Sequence, residues 1–230
     1  MREKITVIKV GGKIVEEEAS LTALLDRFAA IDGRKVLIHG GGRSATRIAE
    51  RLGIESRMVG GRRITDSDTL QVVTMVYGGL VNKNIVAQLQ ARGVNALGLT
   101  GADCNIIRAH KRPVGEVDYG FVGDVDRTDG AMLSRLIEQG IVPIIAPLTH
   151  DSNGNMLNTN ADTIASSVAI AMANYKYRTP REVCHRCEEC TFCSDDGRLT
   201  HMTDLIYCFE KDGVLYDKDE DNSVIPEVTK

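Results

Sequence analysis

Apolar residues along this chain gather into short unbroken runs, separated by stretches of helical spacing. The runs are "ITVIKVGG" (5–12), "KVLIHGGG" (35–42), "VNALGLTG" (94–101) and "GIVPIIAPL" (140–148). An unbroken apolar run, unlike an alternating one, predicts a strand covered on both faces. Over 16–31, Leu21, Leu24, Leu25, Phe28 and Ala29 share one helical face. A helix over 43–52 follows the second glycine run directly, and 67–93 reads as a helix pair or one interrupted helix. Residues 129–140 form a helix capped by Asp129 and closed by Gly140, and 160–175 form another with Asn160 as its N-cap. Strands alternating with helices predict βαβ units and a mainly parallel sheet.

After residue 175 the pattern fades into a polar, cysteine-rich stretch. A strand, "LIYCF" (205–209), then precedes an acidic turn and a short closing strand. The organisation is 1–175, an insertion over 176–203, and 204–230, within one domain overall. The length, 230 residues, suits one large domain or two small ones.

The hydrophobic share of 43% and charged share of 26% are those of a soluble globular protein. No apolar run nears the ~18 residues of a membrane span, and no leader-like segment precedes the first strand. The expectation is a cytoplasmic protein without a membrane partner. A net charge of −4, an aromatic share of 4% and the absence of Trp argue against a nucleic-acid partner.

Three features carry chemistry. The glycines of the first two runs sit at strand ends, where exposed N–H groups and a following helix N-terminus favour an anion. Neither loop matches GxxxxGK[ST] or GxGxxG. Lys9 interrupts an apolar strand just before Gly11 and Gly12, a placement that suits a cation aimed at phosphoryl oxygens. In "NMLNTNAD" (155–162), Asn158, Asn160 and Asp162 alternate where a helix begins, and Asp162 is expected to pair with Lys9.

Six cysteines in a reducing compartment are thiols or metal ligands. Cys184, Cys187, Cys190 and Cys193 recur every third residue, with His185 inside the run and His201 beyond it. Four ligands so close force a tight wrap, and both zinc sites and iron–sulfur runs use other spacings. The stretch is read as an insertion without a metal, these four cysteines remaining the candidate zinc ligands. Cys104 and Cys208 are expected in the core.

"IKVGGK", "VLIHGGGR", "GGRRIT", "YGFVGDV", "VPIIAPL" and "LNTNAD", in this order, resemble the N-acetylglutamate kinases of the amino-acid kinase family. The resemblance covers 1–175 and resumes, weaker, at "YCFEKDGVL" (207–215) and "SVIPEVT" (223–229). It implies a three-layer αβα sandwich with an open, mainly parallel sheet. The first lobe would bind the acylated amino acid and form a homodimer, and the second would bind ATP with Mg²⁺. It implies transfer of the γ-phosphoryl group to the side-chain γ-carboxylate of an N-acylglutamate, in arginine biosynthesis.

In the resemblance, Lys9 stabilises the transferring phosphoryl and Asp162 organises the catalytic cations. Gly11, Gly12 and Gly42 give N–H groups to ATP phosphates, and Gly41 and Gly42 also meet the γ-carboxylate. Arg63, with Arg62 as its neighbouring candidate, clamps the α-carboxylate, and Asn158 holds the α-substituents. Glu210, Lys211, Asp212, Gly213, Val214 and Leu215 border the nucleotide.

The chain departs from the family at "FEKDGV", where Phe209 and Glu210 replace a polar and an acidic residue of the usual motif. It also ends before the family's "GGMxxK" motif and its second catalytic lysine, a loss expected to impair transfer by analogy with single-donor losses of ~3–4 kcal/mol. That departure motivates the alternative of a catalytically impaired binding or regulatory module; the cysteine run motivates a metal-binding one. The short N-terminus leads to the expectation of an arginine-insensitive homodimer.

Overall fold

The computed structural model describes residues 4–178, 198–200 and 202–208. The cysteine run at 184–193 and the 210–215 segment lie outside the described residues.

The first apolar run forms β1 (Lys4–Val10), and the glycines after it open a short helix, α1 (Gly12–Glu16). Extended backbone at Glu17 breaks that helix from α2 (Glu18–Ala29), so the single helix expected over 16–31 is two pieces. Leu21, Leu25 and Phe28 are its buried stripe, and Leu24 and Ala29 pack beside them. The second run forms β2 (Arg34–His39) and leads straight into α3 (Gly42–Arg51). A small hairpin follows, β3 (Met58–Val59) and β4 (Arg62–Arg63). Its turn is Gly60–Gly61, both at positive φ, as a two-residue hairpin turn demands.

Residues 67–90 are continuous helix. They begin as α4 (Ser67–Val73), widen into a π-helical stretch over Thr74–Val81, and return to α-helix as α5 (Asn82–Gln90). The interruption expected from sequence is therefore a change of pitch, not a break. Next come β5 (Ala96–Leu99), β6 (Ile107–Lys111), β7 (Gly123–Thr128) and α6 (Gly130–Glu138). The Asp129 carboxylate accepts the Met132 N–H and caps α6. The fourth apolar run divides at Ala146–Pro147 into β8 (Val142–Ile145) and β9 (Leu148–His150), which join different sheets. β10 (Met156–Asn158) and α7 (Ala161–Asn174) follow, then β11 (Lys176–Arg178), β12 (Arg198–Thr200) and β13 (Met202–Cys208).

The main sheet runs β13-β1-β2-β8-β5, with every pairing parallel. Its continuous hydrophobicity has a plain cause. Ile8, Val10, Leu37 and Ile144 face the layer built by α1 to α5 and its π-helical stretch, while Ile5, Val7, Val36, Ile38 and Ile145 face α6 and α7. This is the αβα sandwich expected. A second sheet, β10-β9-β6-β7, is mostly antiparallel and was not expected. An isolated bridge from Thr65 to Gly120 ties it to the segment after the hairpin, and one from Val122 to Asn158 joins the approach to β7 with the end of β10. Cys208 packs partly buried against the core, but Cys104 is exposed. Cys104 sits in a tight turn with left-handed backbone, φ 52°, outside the strand in which a core position was expected.

Candidate active site

Lys9 is the penultimate residue of β1, paired to Ile38 on one side and Tyr207 on the other. Strand alternation turns it to the same face as Ile5 and Val7, towards α7. Asp162 stands in the first turn of α7, and its Oδ1 lies 2.7 Å from Lys9 Nζ. The lysine side chain is 15% exposed and the aspartate 52%, so the pair joins the sheet interior to an open cavity. Asn160 caps α7 by accepting the N–H groups of Asp162 (2.7 Å) and Thr163 (3.1 Å), which fixes the turn that carries Asp162.

The two glycine loops meet back to back. A Cβ on Gly40 would stand 3.0 Å from the Gly12 nitrogen, and one on Gly12 would stand 3.6 Å from the nitrogens of Gly41 and Gly42. At Gly40 a side chain would crowd the backbone of the first loop, so glycine eases the approach there. Gly12 and Gly42 begin α1 and α3, and neither helix has a side-chain cap. Their leading N–H groups are the donors that a helix leaves unpaired, which suits an anion. The Gly11 N–H has a different partner: it donates to the Cys208 carbonyl at 2.8 Å, so Gly11 ties the first loop to β13 and has no amide left for a phosphate.

Arg63 is buried beneath the second loop. Its Nη2 donates to the Gly42 carbonyl and to Thr46 Oγ1, and its Nη1 to Ser56 Oγ, each at 2.8 Å. Asn158 Nδ2 donates to Thr65 Oγ1 at 2.9 Å, and that hydroxyl donates onward to the Arg63 carbonyl at 3.3 Å. Lys9, Gly41, Gly42, Arg63, Asn158 and Asp162 all line one cavity of about 220 Å³. Residues from four separate stretches of sequence thus converge. Gly11 and Gly12 lie behind its wall.

Sequence reasoning missed three contributors. Arg112 Nε donates to Asp124 Oδ2 at 3.0 Å, a second bond joins Nη2 to Oδ1, and both residues line the cavity. The arginine holds the Asp124 carboxyl below its usual range. Asp124 belongs to the quoted "YGFVGDV" motif, a usable signal; Arg112 has none, because the pairing of β6 with β7 brings it there. Tyr77 lies in an apolar helical stretch and reads as core, yet it too borders the cavity. His39 is wholly buried. Burial lowers its pKa to about 4, and the neutral ring bridges Gly40 O (2.8 Å, Nδ1) and Asn82 Nδ2 (3.0 Å, Nε2).

The site can therefore place a cation and several backbone donors around transferring phosphate oxygens, with an arginine and an asparagine beside them for a carboxylate and an amide. Among the described residues, no three His, Cys, Asp or Glu side chains group as a resident metal cage.

Comparison with known proteins agrees with this geometry. Residues 4–174 match the model of the amino acid kinase family. The acetylglutamate kinase of Bacteroides thetaiotaomicron is 64% identical over 230 residues, 100% of this chain and 80% of the relative. The matched length takes in residues 176–203, beyond the end of the family model. Among solved structures, smu.665 of Streptococcus mutans superposes with a TM-score of 0.65 at 29% identity, over 74% of this chain and 69% of that one. The N-acetylglutamate synthase of Neisseria gonorrhoeae, solved with coenzyme A and N-acetyl-glutamate, gives 0.64 at 25% identity, over 74% and 40%.

Proposed function

The chain belongs to the amino acid kinase family, and on that premise we propose that it transfers the γ-phosphoryl group of ATP to the γ-carboxylate of N-acetyl-L-glutamate, in arginine biosynthesis. The whole-chain similarity to acetylglutamate kinases supports this reading. The observation that carries it in the structure is the convergence of Lys9, Asp162 and the second glycine loop on one cavity.

The reaction needs no general base. The attacking carboxylate is already ionised at neutral pH. One carboxylate oxygen forms a bond to γ-phosphorus as the bond to the bridging oxygen of ADP breaks, giving an acyl phosphate and ADP. Catalysis is then positioning and charge stabilisation. Lys9 neutralises charge on the phosphoryl in flight, and Asp162 holds Lys9 in place. The amides of Gly41 and Gly42 meet the phosphates and the γ-carboxylate. Arg63 receives the α-carboxylate, and Asn158 the acylamino group. ATP enters as its Mg²⁺ complex, so the metal arrives with the substrate. The segment Glu210–Leu215, outside the described residues, is assigned to the nucleotide side by the family resemblance.

A homodimer and a cytoplasmic location complete the reading. The exposed Met75 and Leu80 of the π-helical stretch, with Leu97 on edge strand β5, are apolar surface that suits a partner protomer. Among the described residues, no helix is long and apolar enough to cross a membrane.

Trapping acyl phosphate with hydroxylamine, with ATP and either N-acetylglutamate or N-succinylglutamate, tests the proposal. ATP-dependent product from the acetyl substrate is expected. Retained N-acetylglutamate binding with no turnover would overturn it in favour of a binding module.

A further inference from the structure

The second glycine loop is held from the helix layer by two side chains that a regular α-helix would not present together. Tyr77 lies against Gly41: a Cβ there would meet ring carbon Cδ1 at 2.9 Å. Asn82 acts one residue earlier, through His39. The Gly40 carbonyl accepts a bond and cannot donate one, so His39 Nδ1 carries the ring proton and Nε2 accepts from Asn82 Nδ2. The same Asn82 amide donates to the Ile144 carbonyl at 2.9 Å, which ties the grip to strand β8.

Tyr77 and Asn82 are five residues apart. At 3.6 residues per turn, five residues span about 500°, so the two side chains would point about 140° apart. The π-helical stretch removes that divergence. Its turns close five residues on, and the Asn82 N–H reaches back to the Tyr77 carbonyl. Residues five apart then stack on one side.

We propose that the π-helical stretch Thr74–Val81 is a positioning device for the reaction: it aligns Tyr77 and Asn82 so that together they fix Gly40 and Gly41, and with them the amides that face the transferring phosphoryl. Tyr77 and Asn82 are positioning residues. This inference rests on the kinase reading of the cavity.

Two length variants test it. Deleting Gly79 leaves the tyrosine and asparagine four apart, about 40° from alignment on an ordinary α-helix, whereas inserting one alanine after Gly79 sets them six apart, about 120° from alignment. The deletion is expected to keep kcat within about threefold and the insertion to lower it by about tenfold or more, with KM for ATP nearly unchanged in both. A merely structural role predicts comparable damage from either change. Independently, Asn82→Ala is expected to speed hydrogen exchange at the Gly40 amide, which donates to the Val10 carbonyl at 2.9 Å, while Ile8 in β1 keeps its protection. Equal kinetic losses in both length variants, or unchanged Gly40 exchange, overturn the inference. If the unaltered chain forms no acyl phosphate, the kinase reading falls, and the exchange measurement alone decides whether the loop is held as described.

Discussion

Lys9 shows how one charged residue in an apolar strand acquires a task. Pleating sends it to the α7 face, where its neighbours Ile5 and Val7 are buried, and the carboxylate of Asp162 meets it at 2.7 Å. Lys9→Ala removes a cation from the site of charge development and is expected to lower kcat by about 10²–10³-fold. KM for the acylglutamate should change little, because Arg63 and Asn158 are untouched; steady-state kinetics check both. Lys9, Asp162 and Asn158 were legible because a charge in an apolar run, or a polar cluster at a helix start, needs a reason, and Arg63 through the family resemblance carried by "GGRRIT". Tyr77 and Arg112 were not, since a tyrosine among valines reads as core and an arginine at the end of a polar strand reads as surface. His39 adds a pH dependence. Burial sets its folded pKa to about 4, below the ordinary 6.5 of an unfolded chain. The unfolded chain therefore binds the proton first. The stability tied to neutral His39 is complete above about pH 6.5 and declines as pH falls towards 4, by about 2 kcal/mol at pH 5. Urea denaturation at pH 7.5 and pH 5 should show that loss, and His39→Gln should flatten it.

Helices here are set by their ends more than by their stripes. The sequence pattern placed α6 and α7 because cap and apolar spacing agree at each, whereas α2 rests on its apolar stripe and α3 on the glycine run before it. It misjudged the start of the 16–31 helix because Gly11–Gly12, a loop signal, opens a helical turn of its own. It left 67–93 ambiguous because extra residues per turn shift the apolar phase without breaking the helix. The cap of α7 matters twice. Asn160 Oδ1 takes two N–H groups, and one of them belongs to Asp162. Asn160→Ala is expected to destabilise the protein by about 1 kcal/mol. It should also lower kcat, since Asp162 loses the turn that aims it at Lys9. Thermal melts and kinetics on the same preparation separate the two effects, and a kcat equal to that of the unaltered chain would limit the cap to stability.

Across the whole molecule, the parallel sheet was readable and the second sheet was not. Strands covered on both faces must be continuously apolar, and that signal survives in any context. The strands "IRAHK" and "GDVDRT" are instead charged, with His110 of β6 pairing to Asp126 of β7 and Arg112, just past β6, pairing to Asp124, and such a pattern resembles a loop until the partner strand is known. The two sheets and the α7 layer share a buried core and close on one cavity, so a ligand there bridges all three. Filling the cavity should therefore stabilise the fold as a unit. At 100 times its dissociation constant a ligand adds about 2.7 kcal/mol. For a chain of this size, that raises the melting temperature by about 5–10 °C. N-acetylglutamate is expected to produce this shift in the unaltered chain and also in Lys9→Ala, whose lesion lies in transfer. It should fail to do so in Arg63→Met, which loses both the cation for the α-carboxylate and the tether to Gly42. Differential scanning fluorimetry across a substrate titration reads all three. A full shift in Arg63→Met would remove Arg63 from the substrate site and leave it a scaffold for the glycine loop.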